Sequence, residues 1–345
     1  MPNNMGLVRY ILAIAVFVSH FDHLGGYLLY FPVTSYAGVG GFFALSGFLI
    51  YGSYLRSPSV GRYLISRAVR LLPAYFITII FFACLLSLLS TLTAASYFTS
   101  SGFWAYLAAN LTFLNFLHPS LPGVFDGLAV NGSLWTMKIE WCLYLTPPLV
   151  AWVISRLHVR PVIVFIAIYI LAVGYRIIFY RLYLATDSEI YYILSRQFLG
   201  QLSFFYVGVL CYYFIDHIMR YRWYLLIIAA SLLFGSRYIP YGSFIFHPFA
   251  IGVLVVWFSM ALPAPEHLIQ TGKKAGRLMS AVLATIFGRR DNISYHIYLI
   301  HAPVIQIFVT LRGSSTVSAP TAFIICFTST VILSWLLNRL TRTRS

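Results

Sequence analysis

Apolar runs of about twenty residues follow one another along almost the whole chain, and that is the length an α-helix needs to cross the hydrocarbon core of a bilayer. In lipid there is no water to satisfy backbone amides and carbonyls, so each run has to close its hydrogen bonds within itself as a helix. Ten runs are read as spans: 9–30, 38–55, 73–92, 134–155, 161–180, 198–215, 223–238, 242–262, 293–311 and 320–338. A further apolar stretch, 98–117, is read as interfacial or re-entrant, because counting it as a crossing would put the basic loops that follow on the wrong side. The predicted fold class is all-α: a polytopic membrane helical bundle of about ten transmembrane helices with that one interfacial segment. Hydrophobic residues make up 60% of the chain and charged residues 9%, a balance that excludes an ordinary soluble domain. No internal repeat is visible, and the chain is read as one integral-membrane domain over 1–345. The first run continues into a second span, so it is kept as mature structure and not as a cleaved signal.

The net charge of +15 could suggest a nucleic-acid partner, but its distribution excludes that reading. With the N-terminus in the cytoplasm, 17 of the 23 Lys and Arg residues fall on the cytoplasmic side: Arg9; Arg56, Arg62, Arg67 and Arg70; Arg156 and Arg160; Arg220 and Arg222; Lys273, Lys274, Arg277, Arg289 and Arg290; Arg339, Arg342 and Arg344. The positive-inside rule accounts for them. Both termini are then cytoplasmic, and Asp187, Glu189, Tyr191 and Tyr192 lie in an outer loop, 182–197. Cys84, Cys142, Cys211 and Cys326 stand singly in apolar segments with no metal-type spacing, so no metal site is expected.

Ionisable residues inside spans are expensive in lipid and mark functional candidates. Arg9 and His20 in the first span are eleven residues apart, close to three helical turns, so they share a face with about 16 Å between them along the axis. Glu140 lies in NGSLWTMKIEWCLYLTPP, about a turn and a half into an apolar helix. A carboxylate there has to be paired or reach a wet cavity. His20 is one candidate partner; a packing role with an arginine or histidine of another helix is the alternative. Ser294, Tyr295, His296, Tyr298 and His301 bring polar groups to the ninth span, with Tyr298 and His301 on one face. Arg67 and Arg70 are three apart and form a cationic face suited to phosphate; topology-setting charge and anionic-lipid binding are the rival readings. The small residues of GVGGFFALSGFLIY, Ser46 among them, either let helices pack closely or let a bulky bound group pass. His118, His158, His217, His247 and His267 fall in loops or at span ends and are read as surface or interfacial residues.

Together these pieces resemble the acyltransferase-3 family of membrane acyltransferases over nearly the whole chain. The matching elements are Arg9-x10-His20, FFALSGF at 42–48, Arg67-x-x-Arg70 followed by Pro73, SLWTMKIE at 133–140 with Trp135, FFYVGVL at 204–210 and ISYHIYLIH at 293–301. The resemblance implies O-acyl transfer from cytoplasmic acyl-CoA, usually acetyl-CoA, to a hydroxyl of an envelope carbohydrate such as O-antigen or exopolysaccharide. The setting it implies is the bacterial inner membrane. His20 then matches the family's catalytic histidine, and Arg9, Arg67 and Arg70 the arginines that engage the polyanionic carrier. Some members carry an appended extracytoplasmic esterase-like domain; this chain, ending at Ser345, is expected to be a stand-alone membrane domain. Two schemes fit the residues: His20 as general base for direct attack on the thioester, or His20 as transient acyl carrier. Glu140 could orient its imidazole. Ser46, Trp135, Tyr295, Tyr298 and His301 are further candidates to line the site. The rival class is a proton-coupled transporter or flippase, which predicts internal repeats that the chain does not show.

Overall fold

The computed structural model describes residues 4–260 and 292–341, and every regular element among them is helical. Lys273, Lys274, Arg277, Arg289, Arg290, Arg342, Arg344, His267 and the last two residues of the 242–262 run lie outside the described residues. In chain order the α-helices are α1 (Met5–Gly25), α2 (Ser35–Leu55), α3 (Val60–Leu85), α4 (Ala94–Thr99), α5 (Ser101–Leu111), α6 (Trp135–Leu157) and α7 (Pro161–Thr186). There follow α8 (Glu189–Ser195), α9 (Phe198–Tyr213), α10 (Ile215–Arg220), α11 (Arg222–Gly235), α12 (Gly242–Met260), α13 (Ser294–Arg312) and α14 (Ala319–Thr341).

Seven of these helices are long and apolar enough to cross a membrane: α1, α2, α3 with the 3-10 turn that extends it to Leu89, α7, α12, α13 and α14. The other three expected spans are helices too, for different reasons less suited to a full crossing. The helix α6 has 23 residues but carries Thr136, Lys138, Glu140 and Thr146. The helices α9 and α11 have 16 and 14 residues, about 24 and 21 Å at 1.5 Å per residue against a core of about 30 Å.

Local chemistry sets the ends. The run expected at 9–30 stops at Gly25, because Gly26 takes φ +69 and returns its N–H to the Asp22 carbonyl at 3.0 Å, a left-handed glycine closing the helix. The segment 98–117 is broken at Ser100, whose hydroxyl accepts from the Phe103 N–H at 3.2 Å and starts a new helix. That helix, α5, has 11 residues, about 16 Å, half of a crossing. Arg62, Arg67 and Arg70, placed by sequence in a loop, stand in the first turns of α3, which begins at Val60 and runs through Pro73. The outer loop 182–197 is also largely helical, with α7 reaching Thr186 and α8 following.

Prolines sit inside several of these helices, and in three cases a side chain takes the carbonyl that the missing N–H leaves free. Pro147 and Pro148 free the carbonyls of Leu143 and Tyr144, which accept from Thr146 Oγ1 and Tyr63 Oη, both at 2.8 Å. Pro303 frees the Leu299 carbonyl, which accepts from Asn131 Nδ2 at 2.7 Å.

The chain forms two compact units. The first takes its described residues from Met1–Leu12, Tyr36–Ile65 and Ile139–Arg290, the second from Ala13–Ser35, Ser66–Lys138 and Asp291–Ser345. In the first unit α9 packs against α7 and α12. It also meets α2 backbone to backbone: a Cβ on Gly47 would collide with the Phe205 carbonyl oxygen, and one on Gly208 with that of Ala44. The glycines of GVGGFFALSGF thus serve close helix packing. The core of the second unit is Phe17, Val18 and Phe21 of α1, Ile305 of α13, and Ala322 and Cys326 of α14. Phe17 meets Phe323 and Phe327 edge-on at 5.6 and 5.3 Å.

Candidate active site

In the second unit the last turns of α1 and the middle of α13 bring two imidazoles together. His301 Nε2 lies 3.0 Å from His20 Nδ1, and the ring centroids are 4.8 Å apart. Each ring also turns its Nδ1 to the carbonyl one turn back in its own helix, His20 to Val16 and His301 to Ile297, both at 3.1 Å. These contacts determine the tautomers. A nitrogen facing a carbonyl has to carry the hydrogen, so His301 is protonated on Nδ1 and offers a lone pair from Nε2. His20 Nδ1 faces two acceptors, the Val16 carbonyl and that lone pair, and is therefore protonated as well. The consequence is that His20 Nε2 holds a lone pair, and it has no hydrogen-bond partner among the described residues. His301 is fully buried, whereas His20 is half-buried.

Around this pair, α13 is held in register by polar contacts from the start of α6 and the chain before it. Asn131 caps the Leu299 carbonyl and with its Oδ1 accepts from the Ser133 hydroxyl at 2.6 Å. Thr136 Oγ1 bonds Tyr298 Oη at 2.8 Å, and the Tyr298 ring is 5.7 Å from that of His301. Gln306 donates to the carbonyls of Ala129 and Val130 at 2.7 and 2.9 Å. Trp135 is the half-buried first residue of α6. Tyr295 Oη donates to the Leu71 carbonyl at 3.0 Å, tying the start of α13 to α3 beside Arg70. Tyr295 and His301 are six residues apart, so about 9 Å of helix axis separates the α3 contact from the histidine pair. Arg70 is exposed and Arg67 half-buried, its Nε donating to Ser66 Oγ at 3.2 Å.

In the first unit, Glu140 is half-buried in α6, and its Oε1 accepts from Ser46 Oγ at 3.4 Å and from Tyr144 Oη. The carboxylate is thus held by two hydroxyls, and the partner that the structure gives the His20 ring is His301. Arg9 is half-buried in the second turn of α1, in the same unit as Glu140. Of the residues singled out from sequence, then, the fold joins His20 to His301, His301 to Tyr298, and Ser46 to Glu140. Among the described residues no group of three or more His, Cys, Asp and Glu could hold a metal.

Sequence reasoning misses Gln306, and it misses Asn131 although a signal exists there: Pro303 announces a carbonyl in need of a donor. It also misses Arg176, a charge inside the apolar run of α7 that the rule applied to His20 flags equally. His247, read as a span-end residue, is half-buried and bonds Ser236 Oγ at 2.8 Å through Nε2.

A family profile described as an acyltransferase domain matches residues 3–339. Nodulation protein 10 of Rhizobium leguminosarum bv. viciae is 30% identical over 162 residues, 43% of this chain and 43% of that protein. The match thus spans less than half the length of this curated relative. No solved structure matches the chain.

Proposed function

The chain belongs to the acyltransferase-3 family, and from that premise we propose that it moves an acyl group, acetyl being the family's usual one, from cytoplasmic acyl-CoA to a hydroxyl of an envelope carbohydrate. It does so as one integral-membrane domain over 1–345 in the bacterial inner membrane, with both termini in the cytoplasm. O-antigen, exopolysaccharide and lipid-linked sugars are the acceptors this reading admits.

The observation that carries the proposal is the pair of contacts at His20 Nδ1, from which its tautomer follows. Its protonated Nδ1 is occupied by Val16 and His301, and its Nε2 lone pair has no partner among the described residues. A neutral imidazole in that state is a general base. In the proposed step Nε2 takes the proton of the acceptor hydroxyl as the oxygen attacks the thioester carbonyl. The carbon–oxygen ester bond forms, the carbon–sulfur bond breaks, and the imidazolium returns the proton to the departing coenzyme A thiolate. His301 acts on this step through His20, by accepting its Nδ1–H and fixing the ring, as the third member of a triad does.

Arg67 and Arg70 are proposed to bind the phosphates of the carrier, with Arg9 as a third cation of the same role. A planar guanidinium suits phosphate, and α3 presents its two arginines three residues apart. The bond from Tyr295 to Leu71 links that arginine face to α13 and so to the histidine pair within one unit. A carrier anchored there has its thioester at the far end of a long flexible arm, which suits a site some way along α13. Glu140, aligned by Ser46 and Tyr144, enters the proposal as a second ionisable group of the reaction. Trp135, Tyr295 and Tyr298 enter it as lining and positioning residues.

The test is transfer of label from radiolabelled acetyl-CoA to envelope glycolipid by protein purified in lipid, wild type beside His20→Ala. Labelled glycan from wild type alone supports the reading. Equal product from both would remove His20 from the chemistry.

A further inference from the structure

Arg176 stands in the sixteenth position of α7, in the first unit, and is only 2% exposed. Its Nη2 donates to Tyr36 Oη at 3.0 Å. The guanidinium lies over the rings of Phe244, Tyr36 and Phe204, with centroid distances of 4.8, 5.6 and 5.6 Å. These aromatic faces stabilise a cation but accept no hydrogen bond of ordinary strength. Nε and Nη1 are buried and have no partner among the described residues, and no carboxylate is among the contacts of the side chain. A buried charge without a counter-charge is among the most costly arrangements a protein can hold.

The surroundings add to the positive potential and do not offset it. Tyr36 is in the first turn of α2 and Phe244 in the first turn of α12, and Gly200, in the first turn of α9, abuts the arginine stem: a Cβ there would lie 2.8 Å from Arg176 Cγ. Residues of the first turns of α2, α9 and α12, each the positive end of its helix dipole, thus border this one side chain. The neighbouring polar groups include no carboxylate: they are the Tyr36 hydroxyl, and the bonded pair Ser236 and His247, whose ring is 6.0 Å from that of Tyr36. Along α7, Arg176 is sixteen residues from Arg160, about 24 Å, and so stands well away from the basic loop that the positive-inside rule assigns to the cytoplasm.

We propose that Arg176 is the centre of an oxyanion site, bordered by the first turns of α2, α9 and α12, that binds a phosphate or carboxylate group of the acceptor. The assignment to the acceptor rests on the acyltransfer reading; the anion site itself does not. It gives the acceptor a chemical class: a saccharide bearing an acidic group or linked to a lipid through phosphate.

The experiment is anion binding by purified protein in neutral-lipid nanodiscs, with no acyl-CoA present, followed as a ligand-dependent rise in melting temperature. Farnesyl phosphate and inorganic phosphate report on a phosphate group, glucuronate on a carboxylate, and farnesol and glucose are uncharged controls. Wild type should be stabilised saturably by the phosphate or the carboxylate arm and by neither control, the responding arm naming the group. In Arg176→Met that stabilisation should vanish, while the protein without ligand melts no lower than wild type because an unpaired buried charge has been removed. Arg176→Lys keeps the charge but not the planar donor set, and should bind the responding anion about 10-fold more weakly, which guards against a Met variant that fails to fold. Identical shifts in wild type and both variants, or no shift with any anion, would overturn the site. Wild type that binds the anion through Arg176 yet forms no labelled product would instead count against the acyltransfer reading.

Discussion

His301 Nε2 and His20 Nδ1 are 3.0 Å apart although 281 residues separate them in the chain. The contact does more than pack two rings. Because His301 spends its own N–H on the Ile297 carbonyl, it presents His20 with an acceptor, and His20 is left with its lone pair on Nε2.

The role of His301 can be separated from mere filling of space. His301→Phe keeps an aromatic ring but removes the acceptor, and kcat should fall by roughly 10²-fold, the scale of a lost general-base contribution, with KM for acyl-CoA unchanged. His301→Gln, whose side-chain oxygen can accept the same hydrogen bond, should recover part of that loss. Steady-state kinetics over a range of pH checks both: a Gln variant no better than the Phe variant would show that an acceptor for the His20 N–H is not what His301 contributes.

Carrier binding and chemistry should divide between α3 and α1. Arg67→Ala and Arg70→Ala are expected to raise KM for acyl-CoA by about 10-fold each, the effect of losing one charge-assisted contact of about 1.4 kcal/mol, and to make binding less sensitive to salt. His20→Ala should abolish transfer while coenzyme A still binds. Titration of the carrier into each variant decides the matter, and a His20→Ala protein that no longer binds it would defeat the division.

The pairing of Asn131 with the carbonyl freed by Pro303 predicts a specific coupling. Asn131→Ala leaves the Leu299 carbonyl buried and unsatisfied and should cost about 1–3 kcal/mol of stability. In a Pro303→Ala background, where a backbone N–H is restored at the right place, the same substitution should cost less. A double-mutant cycle by thermal or denaturant unfolding in detergent measures the difference, and additive effects would mean that the two residues act independently.

Gly47 and Gly208 bring the backbones of α2 and α9 into contact, so side chains there have no room. Gly47→Leu should prevent folded protein from accumulating, because a backbone carbonyl, unlike a flexible side chain, cannot move aside. Gly174→Leu, on the same fold at a position where a Cβ meets nothing within 4 Å, should be tolerated. Yield of monodisperse protein by size-exclusion chromatography compares the two.

Much of the candidate site is legible in the order of residues alone. Lipid leaves so few reasons for His20, Glu140 or His301 to stand in an apolar run that their presence there marks them. Their partners are less legible. Glu140 suggests a histidine or arginine, and the hydroxyls of Ser46 and Tyr144 that bond its carboxylate have no charge to advertise the bond. The contacts of Arg176 are hidden because they are aromatic rings, which look from sequence like ordinary core.

What the sequence by itself determined is the class of the molecule: apolar runs of bilayer length have to become helices, because only a helix closes its own backbone hydrogen bonds in lipid. It also determined which side chains share a face of one helix, since a period of 3.6 residues is a local property. The tertiary structure alone decided which helix faces which. Nothing in the period of α1 says that its His20 meets α13, and nothing in α7 says that Arg176 meets Tyr36, 140 residues away. Such pairings follow from packing many helices at once, where glycine contacts, proline-freed carbonyls and buried polar groups have to be satisfied together.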